Sequence, residues 1–283
     1  VHFDLIQPSE VLTGAVFASP HSGRDYPSDL RMATVLDERA LRSSEDAFMD
    51  LLVSDAPSLG APLLLARTPR AYVDLNRSVD ELDPAVIDGV RRGPHNPRVT
   101  SGLGVIPRVV ANGRAIYRGK LTLQDARARL ETHWHPYHAA LRDLLARQQA
   151  TFGTAVLVDC HSMPHEAIEG MAGRNGRAPD IVLGDRFGAA ASREMVDRIE
   201  HAFTAEGLTV ARNTPFAGAF IAQRYGRPAQ GCHVVQVELD RALYMDEATL
   251  TPRPDFHDLR ATMARVMARI VDIARPAVPL AAE

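Results

Sequence analysis

Ala155-Val-Leu-Val158 is an apolar run that stops abruptly at Asp159-Cys-His-Ser162, and its reading decides the fold. A short apolar run bounded by polar and turn-forming residues reads as a buried strand. In α/β proteins ligands sit beyond the carboxyl ends of such strands, so a strand that delivers Asp-x-His-Ser to its own end points to chemistry there. His161 is the first candidate metal ligand. Taken alone, the stretch reads better as a capping Asp159 and a hydrogen-bonded loop histidine, and only recurrence of the pattern argues otherwise.

The pattern recurs. Gly14-Ala-Val-Phe-Ala-Ser19 is another apolar run of strand length, broken by Pro20-His21-Ser-Gly-Arg24. Leu36, Ala40 and Leu41 have helical spacing after it, and Ser43 or Ser44 can cap a second helix opening on Glu45-Asp46. Acids at that position complement the helix dipole, which is sufficient reason for either of them singly. Residues 61–66 read as a strand, and Ala71-Tyr-Val-Asp-Leu-Asn-Arg77 as a further strand-like run ending in an amide and a guanidinium. Arg77 has the planar fork that grips a carboxylate, or it pairs structurally with Asp74 or Asp80.

Residues 78–118 are rich in Gly, Pro, Asn and Arg and show little period, which predicts a covering loop. Within it Asn112-Gly113 marks a small hairpin between 104–110 and 115–117. Arg91, Arg92, Arg98, Arg108, Arg114 and Arg118 are a local excess of cations suited to an anionic substrate. From 122 to 149 the spacing predicts a long helix, interrupted at Pro136. His133, His135 and His138 on it read as surface or capping residues, because no carboxylate accompanies them.

Further on, a short strand at 180–185, a helix over 189–206 and a strand at 208–212 precede a loop with an edge strand at 213–226. Cys232-His-Val-Val-Gln-Val-Glu-Leu239 is a β-branched strand with one carboxylate near its end, and a Met- and Leu-striped helix follows from 255 to about 274. Ionised Glu238 in such a strand is costly unless it is paired or has a catalytic task.

The 283 residues, 46% hydrophobic, suffice for one large core, so a single domain over 1–283 is expected. With 32 basic and 35 acidic residues interspersed for a net charge of -3, nothing suggests a nucleic-acid or membrane partner. A small anionic molecule and a cytoplasmic location are expected, and the number of subunits stays open. Cys160 and Cys232 read as buried thiols, not a disulfide framework.

Apolar runs thus end in His21, in Asn76-Arg77, in His161 and in Glu238, with Glu45 and Asp46 nearby. Two histidines and a carboxylate are a ligand set for catalytic zinc, with another divalent ion as the variant. Such a metal activates water for amide hydrolysis, with a carboxylate such as Glu238 to move the proton.

Ser19-Pro-His-Ser-Gly23, Tyr72-Val-Asp-Leu-Asn-Arg77, Asp159-Cys-His-Ser162 and Val235-Gln-Val-Glu-Leu239 together resemble the N-formylglutamate amidohydrolase (deformylase) family. The order also resembles that of the zinc carboxypeptidases, except that Arg24 stands where their acidic ligand would be. The resemblance implies a three-layer α/β/α sandwich with a mixed, largely parallel sheet, and release of formate from N-formylglutamate. It implies His21, His161 and Asp46 as metal ligands, with Glu45 second to Asp46, and Glu238 as the base. Asn76 and Arg77 would hold one substrate carboxylate, with Arg224 or Arg118 for the other. A peptidase of carboxypeptidase type and a noncatalytic carboxylate-binding protein are the competing functions.

Overall fold

The computed structural model describes residues 2–91, 93–171 and 176–275, so Arg92 of the covering loop lies outside the described residues. Seven strands form the central sheet: β1 (Phe3–Ile6), β2 (Ala15–Ser19), β3 (Leu63–Ala66), β4 (Ala155–Met163), β5 (Ile181–Gly184), β6 (Val210–Arg212) and β7 (Cys232–Asp240), in the order β1-β3-β2-β4-β7-β5-β6. β3, β2, β4 and β7 run parallel, as β5 and β6 do with each other, while β1 and β5 meet their inner neighbours antiparallel. The sheet is therefore mixed and largely parallel.

Strand side chains alternate between the two faces, and each face is apolar. Phe17, Val156 and Val158 pack with the helices Arg193–Thr204 and Phe256–Ile273, whereas Val16, Leu157 and Val234 pack with the helix His135–Phe152. This is the three-layer α/β/α arrangement. The helix expected over 189–206 begins later because the Ser192 side chain accepts a hydrogen bond from the Met195 amide and caps it. The long helix passes Pro136, which has no N–H to donate, through a π-helical turn at Leu130–Trp134. Cys160 and Cys232 are free and buried, well separated along the β4–β7 ladder. No helix among the described residues is long and apolar enough to cross a membrane.

Several local expectations differ from the structure. Residues 71–77 form buried turns, not a strand, because Pro69 starts a turn that receives the Tyr72 amide and the Asp74 amide goes instead to the Val105 carbonyl. The helix expected to open on Glu45 begins at Met49, since Phe48 adopts φ 63° and reverses the chain first. The hairpin around Asn112-Gly113 reduces to a single bridge, Val109 to Ala115. The edge strand expected before 226 is the helix Phe220–Tyr225: β5 already occupies that flank of β7, so Ile221 and Ala222 bury against the His135–Phe152 layer instead.

Candidate active site

β4 extends through Asp159-Cys-His-Ser-Met163 and does not stop at Val158. Its pairing with β2 ends at Ala18 opposite Asp159, while its pairing with β7 continues to Met163 opposite Asp240. Beyond Asp159 the β2 side of β4 is therefore open, and the chain leaving β2 turns across the opening with His21. The chain then crosses to β3 on the far side of β2, making this gap a switch point of the sheet, where α/β proteins bind their ligands. Gly23 lets the turn lie on the end of β3: a Cβ there would stand 2.2 Å from the Thr68 carbonyl oxygen. The Asp46 amide donates to the His21 carbonyl at 3.0 Å, tying the two segments together.

His21, Asp46 and His161 are all buried and bring three ligand atoms to one point. His161 Nδ1 stands 3.1 Å from Asp46 Oδ2 and 3.1 Å from His21 Nδ1, and His21 Nδ1 is 3.5 Å from the same carboxylate oxygen. Ligand atoms of a tetrahedral ion with bonds of 2.0–2.1 Å are separated by about 3.3 Å, so the trio fits such an ion. The remaining imidazole nitrogens face carboxylates: His21 Nε2 lies 2.7 Å from Asp74 Oδ1, and His161 Nε2 lies 3.1 Å from Asp159 Oδ2. Backing of this kind orients metal-ligating histidines and raises their basicity. Asp46 Oδ1 accepts from Arg241 at 3.1 Å and from the Ser162 hydroxyl at 3.3 Å, which aims its other oxygen inward. Burial disfavours the Asp46 charge, yet the hydrogen bonds from both histidines hold its carboxyl well below the usual range. Glu45 is turned away, bonded to Arg42 and the Tyr26 hydroxyl.

The trio opens into a cavity of about 540 Å³ that Asn76, Arg77 and Glu238 also line. Glu238 lies directly across from His161 in the β4–β7 ladder, and its Oε1 accepts from Gln236 at 2.8 Å. Burial pushes its carboxyl up to about 7; His161 pulls it down, and Asp46 adds to the rise. A carboxyl poised there can both take and return a proton near neutral pH. Asn76 is fixed by the Ile221 amide and by Gln236. Arg77 donates through Nε and one terminal nitrogen to the carbonyls of Leu103 and Asn76, and stands 4.0 Å from Asp74. Arg70, Arg98 and Arg241 complete the cationic lining, and part of one wall is Pro107 with Val109–Gly113 of the covering loop.

Arg118 and Arg224, expected to supply a second cation, are exposed and lie outside this lining. Arg224 sits over the Tyr225 ring, on the solvent side of its short helix. Arg70, Arg241, Asp74 and Asp159 carry contacts that the sequence reading did not assign. Asp74 was legible only as an ion-pair partner of Arg77, and Arg241 gave no signal beyond following the strand that holds Glu238. His133 and His138 are buried, not on the surface: His133 Nδ1 lies 2.6 Å from the Thr68 hydroxyl, and His138 bridges the Leu75 carbonyl and the Tyr225 hydroxyl.

Residues 13–245 match the family model described as N-formylglutamate amidohydrolase. Over 239 residues, 82% of each chain, the sequence is 34% identical to the N-formylglutamate deformylase of Pseudomonas aeruginosa; the enzyme of that name from Pseudomonas putida matches over the same extent at 30%. The crystal structure of N-formylglutamate amidohydrolase from Ralstonia eutropha JMP134 superposes with a TM-score of 0.88 at 34% identity, covering 96% of this chain and 98% of that one. A protein of Agrobacterium tumefaciens, at 17% identity and a TM-score of 0.62 over 95% of this chain and 96% of its own, shares the fold.

Proposed function

The chain belongs to the N-formylglutamate amidohydrolase family, and from that membership we propose that it hydrolyses N-formyl-L-glutamate to formate and L-glutamate, using a divalent ion held by His21, Asp46 and His161. Two imidazoles and one carboxylate, leaving room for water and substrate, are a donor set suited to zinc. The observation that carries the reading is the convergence of these three ligand atoms beside a carboxyl raised to about 7, in a cavity lined by arginines. Residues 1–283 act as one catalytic unit, with 78–118 as its cover.

Zinc bound there supplies a Lewis acid that makes water acidic and polarises the formyl carbonyl. Glu238 accepts the proton of the attacking water and delivers it to the amide nitrogen as the carbon–nitrogen bond breaks. Formate keeps the water oxygen, and glutamate leaves with a free amino group. Arg77 and the Asn76 amide hold a substrate carboxylate, fixing the amide over Glu238. Arg70, anchored by its Nε to Asp74 Oδ2 at 3.0 Å, keeps its other N–H groups for the cavity.

The test is a panel of N-formyl and N-acetyl amino acids and dipeptides with the zinc-loaded protein, reading released formate and free amino groups. Preference for N-formylglutamate by at least tenfold in kcat/KM is expected. Faster cleavage of dipeptides would replace this reading with a peptidase, and no turnover of any member would replace it with a binding protein.

A further inference from the structure

Four arginines line the cavity, and their partners divide them. Arg70 is paired through its Nε with Asp74 and Arg241 with Asp46, each near 3 Å, so the charge of each is already balanced by a carboxylate of the ligand set or its backing. Arg77 is anchored through two nitrogens to backbone carbonyls. Among the described residues Arg98, whose bond to Asn96 comes from its backbone amide, alone of the four has no side-chain hydrogen bond and no carboxylate within ion-pair distance.

Arg98 is nevertheless firmly placed. It sits on the short helix Pro97–Thr100, whose cap Asn96 accepts from the Arg98 and Val99 amides and donates to Glu81. Glu81 in turn accepts from the amide of Ser78, the residue after Arg77. From the other end, Leu103 donates its amide to the Arg98 carbonyl and accepts Arg77 Nε on its own carbonyl. One relay through the Asn96 and Glu81 side chains and one through the Leu103 backbone thus fix the Arg98 backbone relative to Arg77. Burial lowers the Arg77 guanidinium, and the neighbouring charges of Arg70 and Arg98 act in the same direction. Asp74 and Glu81 offset part of this, and with Asp74 shared between Arg70 at 3.0 Å and Arg77 at 4.0 Å the cation of Arg98 is left facing the cavity without a carboxylate of its own, which favours an anion there.

We propose that Arg98 is a specificity-determining residue that binds the side-chain carboxylate of a dicarboxylic substrate while Arg77 holds the α-carboxylate. This rests on the functional reading above for the identity of the substrate, and it replaces Arg118 and Arg224 as the second cation. The covering loop therefore reads the substrate as well as enclosing it. A monoanionic analogue leaves Arg98 without a partner, and the site discriminates against it.

The experiment compares wild type, Arg98→Met and Arg98→Lys, all zinc-loaded, on N-formylglutamate and on N-formylglutamine, whose side chain is neutral. Arg98→Met should raise KM for N-formylglutamate about 10- to 100-fold, the worth of a charged hydrogen bond, with a much smaller change in kcat. The preference for glutamate over glutamine should shrink by at least tenfold, and Arg98→Lys should recover part of it. An unchanged preference, or an equal loss on both substrates, overturns the assignment. Calorimetry with glutarate and butyrate provides a readout without turnover. Wild type should bind glutarate at least tenfold more tightly, and Arg98→Met should erase that margin. If N-formylglutamate is not hydrolysed but the glutarate margin depends on Arg98, the proposed reaction fails and the carboxylate site stands. If wild type binds both acids alike, the Arg98 site falls, whatever the activity.

Discussion

His161 and Glu238 are direct partners in parallel register, side by side near the carboxyl ends of β4 and β7. Their spacing is thus set by the sheet and not by loops. Glu238→Gln keeps the shape and most of the hydrogen bonding while removing the proton acceptor. Turnover should fall by roughly 100- to 10,000-fold with metal content and melting temperature retained. An active but destabilised Glu238→Gln enzyme would make the carboxylate a structural ion-pair member instead.

Asp74 touches no substrate in this arrangement and acts through His21, whose Nε2 it holds at 2.7 Å. Asp74→Asn keeps the side-chain volume but withdraws the charge behind the imidazole. Metal affinity should drop about 10- to 100-fold, as measured by competition with a chromogenic chelator. Affinity equal to wild type would show that the backing is dispensable.

Arg77→Lys preserves charge and loses the planar fork. If Arg77 binds a substrate carboxylate, kcat/KM for N-formylglutamate should fall by about 1.5 to 3 kcal/mol in transition-state terms. An unchanged kcat/KM removes Arg77 from the binding pocket.

His138 links stability to pH. Its Nε2 donates to the Leu75 carbonyl at 2.8 Å, leaving Nδ1 to accept from the Tyr225 hydroxyl, and burial lowers its pKa from 6.5 to about 3. Below pH 6.5 the unfolded chain takes up a proton that the native state refuses, so stability falls as pH drops from 6.5 toward 3. This one group should remove about 2 kcal/mol between pH 7 and pH 5. Urea denaturation of wild type against His138→Gln over that interval should show a flatter pH dependence in the variant, and parallel curves would exclude His138 as the source.

The reach of sequence reasoning follows which residues carry their own context. His21, His161 and Glu238 were legible because each terminates or interrupts an apolar run, where a polar group must have a reason. The same runs pointed to an α/β protein, and the three-layer α/β/α arrangement came from the family resemblance. Asp46 could not be separated from Glu45 by local pattern, since Phe48 at φ 63° and the hydrogen bond to the His21 carbonyl, which decide the direction of each side chain, are tertiary events. The arginine excess of 78–118 raised the expectation of an anionic substrate without saying which residue would meet it. Which arginine enters the cavity depends on the caps and carbonyls that fix Arg98, and Arg118 carries no mark of its exposure. Residues 220–225 look strand-like in isolation and become a helix because no sheet edge is free beside β7.

The strand order has a temporal consequence. β4 lies between β2, synthesised early, and β7, synthesised more than two hundred residues after the start of β2. His21 and Asp46 leave the ribosome long before His161, and Arg241, which steadies Asp46, comes last of all. A nascent chain that has not reached β7 lacks Gln236, Glu238 and Arg241, so the cavity is complete only when almost the whole sheet has been made. With long-range parallel pairing intrinsically slow to form, closure of the cavity is a late event in the life of each molecule, and the proposed site would meet its ion and its substrate only after it.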